Sequence, residues 1–371
     1  MLPAYHLNDT SKIFSPSLLV FKELLEANLD HLIRVAGSAS RLRPHCKTHK
    51  MPEVTKLELA KGITKHKAAT LAEAEMLAQA LATDIFLAYN LVGPNIERTI
   101  AFLKKYPQVQ FKATGDHPKP LGELSRALTA AGLSMEILVD VNVGMNRTGV
   151  EPGPQALALY ELLATLPGIR PGGLHVYDGH QQAQDFAQRR ASVDAMWSKV
   201  MELVAAIKTK GLPLPRIVCG GTGSFPVYAE KTDPLIELSP GTLVFNDMGY
   251  TRMFPDLDFP PATVLLTRVV SRPAPDRMTL DVGNKAVASD QPFGKRLTII
   301  DLPEAEQVGH NEEHLVLKTP LAEKYAPGDV LLAVPTHICP TTAWYKSVYV
   351  IEKGNVVDQW EVTGRDRVIT I

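Results

Sequence analysis

Residues 43–50 read Arg-Pro-His-Cys-Lys-Thr-His-Lys, and their basic and imidazole side chains recur at every second position. Side chains two residues apart in a β-strand share a face of the sheet. One face of such a strand carries Arg43, His45, Lys47 and His49. The inner face of a barrel strand is ordinarily filled with Val, Ile or Leu, so this run predicts a strand that serves chemistry rather than packing.

Lys47 is the candidate nucleophile of this strand. Burial of cationic groups costs free energy unless they have an anionic partner or a function. A lysine that is partly desolvated among other cations loses its proton more readily, and its amine is then a nucleophile at neutral pH. We therefore predict that Lys47 forms a Schiff base. The alternative is a solvated edge strand whose charges lie in water.

The composition is that of an ordinary globular protein. The chain has 371 residues, 45% of them hydrophobic, with 39 Lys and Arg against 40 Asp and Glu. This near-neutral charge does not favour a nucleic-acid or acidic-membrane partner. Three widely spaced cysteines, Cys46, Cys219 and Cys339, argue against a disulfide framework and for a reducing compartment. With neither a signal peptide at residues 1–10 nor an apolar run of membrane-spanning length, we predict a cytoplasmic protein.

The order of predicted elements indicates an α/β fold. From residue 40 to 248, short β-like runs alternate with Ala- and Leu-rich amphipathic segments, which predicts βαβ units and a parallel sheet. Eight such runs match a (β/α)₈ TIM-type barrel, with a doubly wound open sheet as the alternative. The predicted strands are Leu42–Thr48, Ile63–Ala69, Ile85–Tyr89, Val109–Thr114, Glu136–Asn142, Gly173–Asp178, Arg216–Gly220 and Gly241–Asn246.

The composition of the sequence changes near residue 255, where prolines become frequent and the Ala/Leu-rich segments stop. Short alternating runs follow, which predict a mainly β C-terminal domain. They are Thr263–Ser271, Met278–Val282, Leu297–Ile300, His314–Lys318, Val330–Val334, Ser347–Ile351 and Val356–Val362. We predict three segments: residues 1–22 with a strand at Ser17–Phe21 that pairs with the β domain, the barrel at 23–253, and the β domain at 254–371.

Two glycine-containing loops lie next to the last two predicted barrel strands. One follows strand 7, and the other leads into strand 8. Clustered glycines let the backbone approach a ligand, and successive amides can surround a phosphate. The loops after strands 7 and 8 are a common phosphate site in barrels, although a Gly-Gly-Thr-Gly turn is more often structural. The candidate phosphate loop is Cys219–Ser224, and Ser239–Thr242 could supply the other side of the site.

Further candidates follow strands 5 and 6. Arg147 lies between small residues, where a guanidinium can hold a phenolate or carboxylate; a surface-loop arginine is the alternative. His175 and Tyr177 share a face at the end of strand 6 and can stack on a flat cofactor. A histidine or tyrosine satisfied in the core is the alternative for these residues and for His180.

A third motif lies in the β domain, where Pro335-Thr336-His337-Ile338-Cys339-Pro340 places His337 and Cys339 two residues apart. Extended backbone would direct both side chains to one side, and the flanking prolines would stiffen the segment. A nitrogen–sulfur pair suits Zn²⁺ or a similar divalent ion. Two protein ligands leave coordination positions open, as in catalytic sites, although a chance His-x-Cys pair is the alternative.

Together these motifs resemble the fold-type III pyridoxal-phosphate enzymes, and among them the D-threonine aldolase / D-serine dehydratase family, whose N-terminal domain is alanine-racemase-like. The resemblance covers nearly the whole chain. The matching segments are Arg43–Lys50, Asp140–Gly149, Gly173–His180, Gly220–Ser224, Asp281–Lys285 and Pro335–Pro340.

The resemblance implies a Schiff base between Lys47 and pyridoxal 5'-phosphate, with Arg147 and Tyr177 at the phenolic oxygen of the cofactor. It also implies that Gly221–Ser224 and Gly241–Thr242 bind the cofactor phosphate, and that His337 and Cys339 bind Zn²⁺ or Mn²⁺. The aldolase branch usually carries Asp at the second metal position and dehydratases carry Cys, so Cys339 favours dehydration. Trp344-Tyr345 stands where the family commonly has Leu-His, which leaves the substrate open.

The implied activity is that of a lyase acting on a D-3-hydroxy amino acid. Aldol cleavage to glycine and an aldehyde, and dehydration to a 2-keto acid and ammonia, use the same residues, so the sequence leaves both open. Two alternatives remain: an amino-acid racemase of the same fold type, which needs a second base and no metal, and a non-catalytic pyridoxal-phosphate carrier. The resemblance further implies a homodimer in which the β domain of each chain caps the other's barrel.

Overall fold

The computed structural model describes residues 5–371, and its contacts divide them into two compact units. The barrel unit comprises Leu32–Lys47, Pro52–Gly241 and Asp366–Ile371. The β unit comprises the described residues up to His31 together with Thr48–Met51 and Thr242–Arg365. The domain boundaries at 22/23 and 253/254 stay a prediction, and residues 1–4 of the predicted first segment lie outside the described residues.

Ten α-helices and sixteen β-strands form in the described residues. The helices are α1 (Lys22–Ala36), α2 (Pro52–Ala60), α3 (Leu71–Gln79), α4 (Pro94–Lys105), α5 (Pro118–Ala130), α6 (Pro154–Thr165), α7 (Phe186–Thr209), α8 (Phe225–Ala229), α9 (Met248–Met253) and α10 (Ile338–Trp344). None of these helices is both long and apolar enough to cross a membrane.

The strands follow the same chain order. They are β1 (Ser17–Phe21), β2 (Lys65–Ala68), β3 (Asp84–Asn90), β4 (Gln110–Gly115), β5 (Met135–Asp140), β6 (Ile169–Val176), β7 (Ile217–Cys219), β8 (Ile236–Leu238), β9 (Thr263–Ala274), β10 (Arg277–Leu280), β11 (Leu297–Ile299), β12 (Glu306–His310), β13 (Leu315–Lys318), β14 (Val330–Pro335), β15 (Ser347–Glu352) and β16 (Asn355–Glu361).

The barrel unit is built on a parallel sheet in the order β2-β3-β4-β5-β6-β7-β8. The segment 42–46 joins the two ends of this sheet through single parallel bridges, Leu42 to Leu238 and His45 to Lys67. Phe86, Leu138 and Val218, on three of the strands, form a fully buried apolar cluster. The prediction of a parallel α/β barrel followed by a mainly β region is confirmed.

Two strand predictions in the barrel are wrong in detail. The first strand does not extend to Thr48, because the chain turns over residues 46–49 and Pro44 has no N–H to donate to a ladder. The eighth strand is Ile236–Leu238, whereas most of Gly241–Asn246 is not extended and Thr242–Val244 form a 3₁₀ helix. The apolar run at 243–245 is buried and so resembles a strand in sequence.

Buried ion pairs occupy the barrel unit near the N-terminal ends of several strands. Arg43 is fully buried, and its guanidinium contacts Asp84 Oδ1 through Nη1 and Glu237 Oε2 through Nε, each at 2.6 Å. We call this group the ion network; its other members are Lys65, Lys112, Glu136 and Arg216. Arg43, predicted to share a face with Lys47, therefore belongs to a paired structural cluster.

The β unit contains a sheet in the order β12-β13-β10-β9-β1-β15-β16, with β14 paired to β9 and β11 paired to β14. β1 runs antiparallel to β9 and parallel to β15. Its core includes Leu19, Val264, Leu266 and Ile351. Three of its helices and strands were not predicted from the sequence: the strand β12 and the helices α9 and α10.

Candidate active site

A cavity of about 540 Å³ opens at the C-terminal ends of strands β2 to β6, and we call it the barrel pocket. Among the described residues that line it, three carry cationic side chains and one carries a carboxylate. These are Lys47, Lys67, Arg147 and Asp140; the remaining polar lining includes His45, Asn90, Thr114, Thr148, His175 and Tyr177. The C-terminal face of a parallel barrel is where such folds place their chemistry, so this pocket is the candidate active site.

The ring of Tyr177 lies among the three cations of the pocket. Arg147 Cζ is 5.0 Å, Lys67 Nζ 5.5 Å and Lys47 Nζ 5.9 Å from the ring centroid. Two glycines allow this placement, because a Cβ atom on Gly179 would overlap the Tyr177 side chain and one on Gly221 would crowd its ring. The structure therefore brings together the predicted residues Lys47, Arg147 and Tyr177.

His175 is held by a carboxylate at the end of the neighbouring strand. Its Nδ1 lies 2.7 Å from Asp140 Oδ1, and both side chains are buried. Burial lowers the pKa of His175, with the nearby positive charge of Lys67 acting in the same direction. Burial alone would raise the pKa of Asp140, but the charge and hydrogen bond of His175 lower it. Buried His175 Nε2 has no hydrogen-bond partner among residues 5–371, which leaves it available to a ligand.

Lys67 is a pocket residue that the sequence analysis did not single out. It lies on β2 and is 3% exposed. Burial lowers its pKa to about 7, and the charges of Lys47 and Arg147 add to this effect against the opposing charge of Asp140. The signal was present in the sequence, because Lys65-His66-Lys67 repeats the two-residue alternation of basic groups seen at 43–49.

The glycine loop after β7 makes hydrogen bonds within the protein. Ser224 Oγ donates to Asp178 Oδ1 at 2.6 Å and accepts from the Gly221 amide at 3.0 Å. The Ser224 hydroxyl thus makes its hydrogen bonds within the protein, and Thr222 is largely buried. Gly223 lies in the same loop, whereas Gly241 ends one segment of the barrel unit and Thr242 begins a segment of the β unit. The phosphate site at these residues stays a prediction.

The predicted metal pair lies in the β unit. His337 Nδ1 is 2.6 Å from Asp290 Oδ2, and the side chains of His337 and Cys339 interact. Burial alone would lower the pKa of His337, but the hydrogen bonds and charges of Cys339 and Asp290 raise it to about 9. Thr48 Oγ1 lies 3.2 Å from Cys339 Sγ.

The extended backbone predicted for this pair is wrong for Cys339. His337 is extended and precedes helix α10, in which Cys339 is the second residue and Pro340 the third. Proline is tolerated in the first turn of a helix, so Pro340 does not prevent helix formation. The Ile338 amide donates to Asp247 Oδ2 at 3.0 Å, and burial raises the pKa of Asp247 to about 6.

Asp290 was not identified from the sequence. It lies 47 residues before His337 and belongs to no local motif, so only the fold brings the two together. A carboxylate on the far nitrogen of a histidine fixes the ring and places the proton on that nitrogen, which leaves the other nitrogen free to bind a metal. The imidazole, thiol and supporting carboxylate therefore fit a divalent metal.

A different set of side chains also brings potential metal ligands together. His45, Cys46 and Glu73 are buried, and their ligand atoms lie within 4.8 Å of one another. Glu73 Oε2, however, accepts a hydrogen bond from the Ala69 amide at 2.6 Å and supports the start of helix α3. Each of the three has further interactions within the protein. We therefore assign this cluster to the structure of the barrel.

The barrel pocket also fits pyridoxal phosphate. It offers an amine on Lys47, a surplus of cations for a doubly anionic ligand, and the open nitrogen of His175. The flat Tyr177 ring provides a surface against which an aromatic cofactor can pack.

Comparison with known proteins identifies the family. Residues 22–248 match the family model described as alanine racemase, N-terminal domain, and residues 262–351 match a putative serine dehydratase domain. A D-threonine aldolase from Arthrobacter sp. is 31% identical over 98% of this chain and 96% of its own length. The chain belongs to the D-threonine aldolase family.

Further members and a solved structure support this family. A 3-hydroxy-D-aspartate aldolase from Paracoccus denitrificans (strain Pd 1222) is 28% identical over 99% of this chain and 96% of its own length. The crystal structure of a D-threonine aldolase from Filomicrobium marinum superposes with a TM-score of 0.89 over 100% of both chains, at 29% identity. The predictions of an alanine-racemase-like fold and of a pyridoxal-phosphate-dependent lyase of the D-threonine aldolase family are confirmed.

Proposed function

We propose that this family member is a pyridoxal-phosphate- and divalent-metal-dependent lyase that acts on a small D-3-hydroxy amino acid. The observation that carries the proposal is the barrel pocket, in which Lys47 lies among cations that exceed the carboxylates lining it. The names of the aldolase relatives support the substrate class.

Lys47 is proposed as the residue that binds the cofactor covalently through its Nζ. When bound, pyridoxal phosphate supplies a conjugated ring that accepts the negative charge developing at the substrate Cα. Arg147 and Tyr177 are proposed to contact the phenolic oxygen of the cofactor, and His175 to contact its ring. The amides of Gly221, Thr222, Gly223 and Ser224, with Gly241 and Thr242, are proposed to bind its phosphate.

His337 and Cys339 are proposed to hold Zn²⁺ or Mn²⁺ as a Lewis acid for the substrate β-hydroxyl. Asp290 supports this role, because its contact with His337 Nδ1 orients the imidazole. For dehydration, Lys47 Nζ would remove the Cα proton and the β-hydroxyl would leave. For aldol cleavage, a base would instead remove the hydroxyl proton, and the Cα–Cβ bond would break. The nature of residue 339 and the match of residues 262–351 to a putative serine dehydratase domain favour dehydration, whereas the aldolase relatives favour cleavage.

The deciding experiment is product identification. The purified protein is loaded with pyridoxal phosphate and Mn²⁺ or Zn²⁺ and incubated with D-threonine, D-serine and 3-hydroxy-D-aspartate, with the L-enantiomers as controls. Glycine with an aldehyde identifies aldol cleavage, and a 2-keto acid with ammonia identifies dehydration. A chelator should abolish either reaction, whereas a racemase would be indifferent to it. Turnover that continues without metal contradicts the proposal.

We also propose three further features. The sequence patterns predict a cytoplasmic location and a division of the chain into residues 1–22, 23–253 and 254–371, and the family resemblance implies a homodimer. Gel filtration with light scattering measures the oligomeric state, and an active monomer would contradict the dimer. Limited proteolysis tests the boundaries, which predict cleavage near residue 254.

A further inference from the structure

Lys67 is fixed next to the segment that carries Lys47. Its backbone amide donates to the Pro44 carbonyl at 2.9 Å, and its carbonyl accepts from the Cys46 amide at 2.9 Å. These two hydrogen bonds flank the bridge between His45 and Lys67. The position of Lys67 relative to residue 47 is therefore set by backbone contacts rather than by a flexible loop.

A second buried lysine of the barrel shows what Lys67 lacks. Lys112 on β4 is 2% exposed, and its Nζ lies 2.7 Å from Asp84 Oδ1 in the ion network. Lys67 is as deeply buried, yet among residues 5–371 no carboxylate forms a salt bridge with it. An ammonium group without a counterion in the interior is costly, which indicates a partner from outside the protein.

The groups that face Lys67 do not supply that partner. The nearby charges are Lys47, Arg147, Asp140 and Cys219. Asp140 is engaged by His175 at 2.7 Å, and burial raises the pKa of the Cys219 thiol well above its ordinary value, so this thiol is neutral. The remaining two groups are cations. An anion that enters the pocket therefore gains the favourable charge of Lys67.

The order of the strands indicates which anionic group of the cofactor meets Lys67. In pyridoxal phosphate, the phenolic oxygen and the phosphate-bearing arm occupy the ring positions on the two sides of the aldehyde carbon. The segment that carries Lys47 is likewise flanked on its two sides, by β8 and by β2. If the phosphate lies toward the loops after β7 and β8, the phenolic oxygen lies toward β2, which carries Lys67.

We propose that Lys67 donates a charge-assisted hydrogen bond to the phenolic oxygen of the cofactor and so positions the ring beside Lys47. The proposal rests on the proposed cofactor site. It makes Lys67 a positioning residue for the cofactor, in addition to the residues that the family resemblance implies.

The test compares the affinity of the apoprotein for pyridoxal phosphate and for 3-deoxypyridoxal phosphate, which lacks the phenolic oxygen. The wild-type protein should bind the deoxy compound about 10- to 100-fold more weakly, as expected for hydrogen bonds to a charged group. Lys67→Met should lose a large part of this discrimination by weakening the binding of pyridoxal phosphate itself. Equal discrimination by both proteins would overturn the proposal. Equal affinity of the wild-type protein for the two compounds would also overturn the proposal. This measurement does not depend on whether the variant folds.

A spectroscopic readout separates positioning from general destabilisation. Removal of a neighbouring cation makes protonation of the bound cofactor easier, so the pH midpoint of its visible absorbance should rise by about one unit in Lys67→Met. Lys67→Arg, which keeps the charge, should restore part of the shift. Lys112→Met is the matched control, because it removes a buried lysine from the ion network and should leave the midpoint unchanged. An unchanged midpoint in Lys67→Met would contradict the proposal.

Borohydride reduction followed by peptide mapping distinguishes failure of this inference from failure of the proposed function. A phosphopyridoxyl group on Lys47 in the wild-type protein supports the cofactor site whatever the variants do. No modified lysine would contradict the proposed function. Modification of Lys67 in place of Lys47 would overturn both, because Lys67 would then be the covalent attachment site.

Discussion

Arg43 and Lys47 are four residues apart, but their cationic groups lie in different electrostatic surroundings. Arg43 is paired with two carboxylates at 2.6 Å in the ion network. Lys47 lies in the barrel pocket, where the described lining residues provide one carboxylate for three cations. A barrel can therefore bury charge either with partners from its own sequence or with a surplus reserved for a ligand. The first arrangement pairs the buried charges within the protein, and under the proposed function the second leaves them for the cofactor.

The largest effect should come from the pocket. Lys47→Ala removes the proposed attachment amine, so turnover should fall by roughly three orders of magnitude or more, as for other covalent nucleophiles. Because no ion pair is broken, the free energy of unfolding should change little. Steady-state kinetics and urea unfolding measure the two quantities. Wild-type turnover would remove Lys47 from the mechanism.

Arg43→Met should show the opposite pattern. It leaves Asp84 and Glu237 without their buried guanidinium, which should lower the free energy of unfolding by about 3–5 kcal/mol. Urea unfolding measures the loss. Arg190→Met, which breaks a half-exposed pair with Glu230, is the control and should cost less than about 1 kcal/mol. Similar losses in the two variants would refute the distinction between paired burial and surface pairing.

Acid should weaken the ion network through Asp84. Burial alone would raise the pKa of Asp84, but Arg43 and Lys112 lower it to about 2. A carboxyl group whose pKa is lower in the folded state contributes stability above its unfolded pKa and loses it as the pH falls through its folded pKa. Asp84→Asn should therefore lack about 2 kcal/mol of stability at neutral pH and show a flatter acid dependence between about pH 4 and 2. The same loss of unfolding free energy with falling pH in Asp84→Asn and in the wild-type protein would contradict this.

The smallest effect on stability should come from the pair in the β unit. Asp290 and His337 are partly exposed, so Asp290→Asn should change the free energy of unfolding by less than about 1 kcal/mol. Its effect should fall instead on metal binding, with a loss of affinity of about 10- to 100-fold, because the imidazole loses its negatively charged partner. Competition with a chromogenic chelator measures this loss. Asp301→Asn, an exposed aspartate of the same unit, is the control.

Residue types were more predictable than backbone paths. Arg43, His45 and His49 are buried, as the alternation at 43–49 indicated. The chain turns over residues 46–49, however, so a two-residue period could not place Arg43 and Lys47 on one face. The eighth strand was misplaced because a three-residue strand is too short to stand out beside the apolar run that follows it. A two-residue period alone does not show where a turn ends a strand.

Partners distant in sequence were the least predictable part of the site. The contact of Asp290 with His337 and that of Asp140 with His175 depend on the complete fold. Lys67 differs from these, because its own strand showed the basic alternation that the first segment showed. The pocket takes residues from five strands and the loops beside them, so the pattern of one strand does not outline it.

The segment that carries Lys47 also has a consequence for folding. It is held to β8 by the bridge between Leu42 and Leu238, which are about 200 residues apart. Contacts between residues so distant in sequence form late, because they close a long loop of chain. During synthesis, residue 47 leaves the ribosome long before residue 238 exists. The Lys47 amine is thus among the first parts of the barrel to be made, whereas the bridge that holds its segment to β8 is among the last contacts to form.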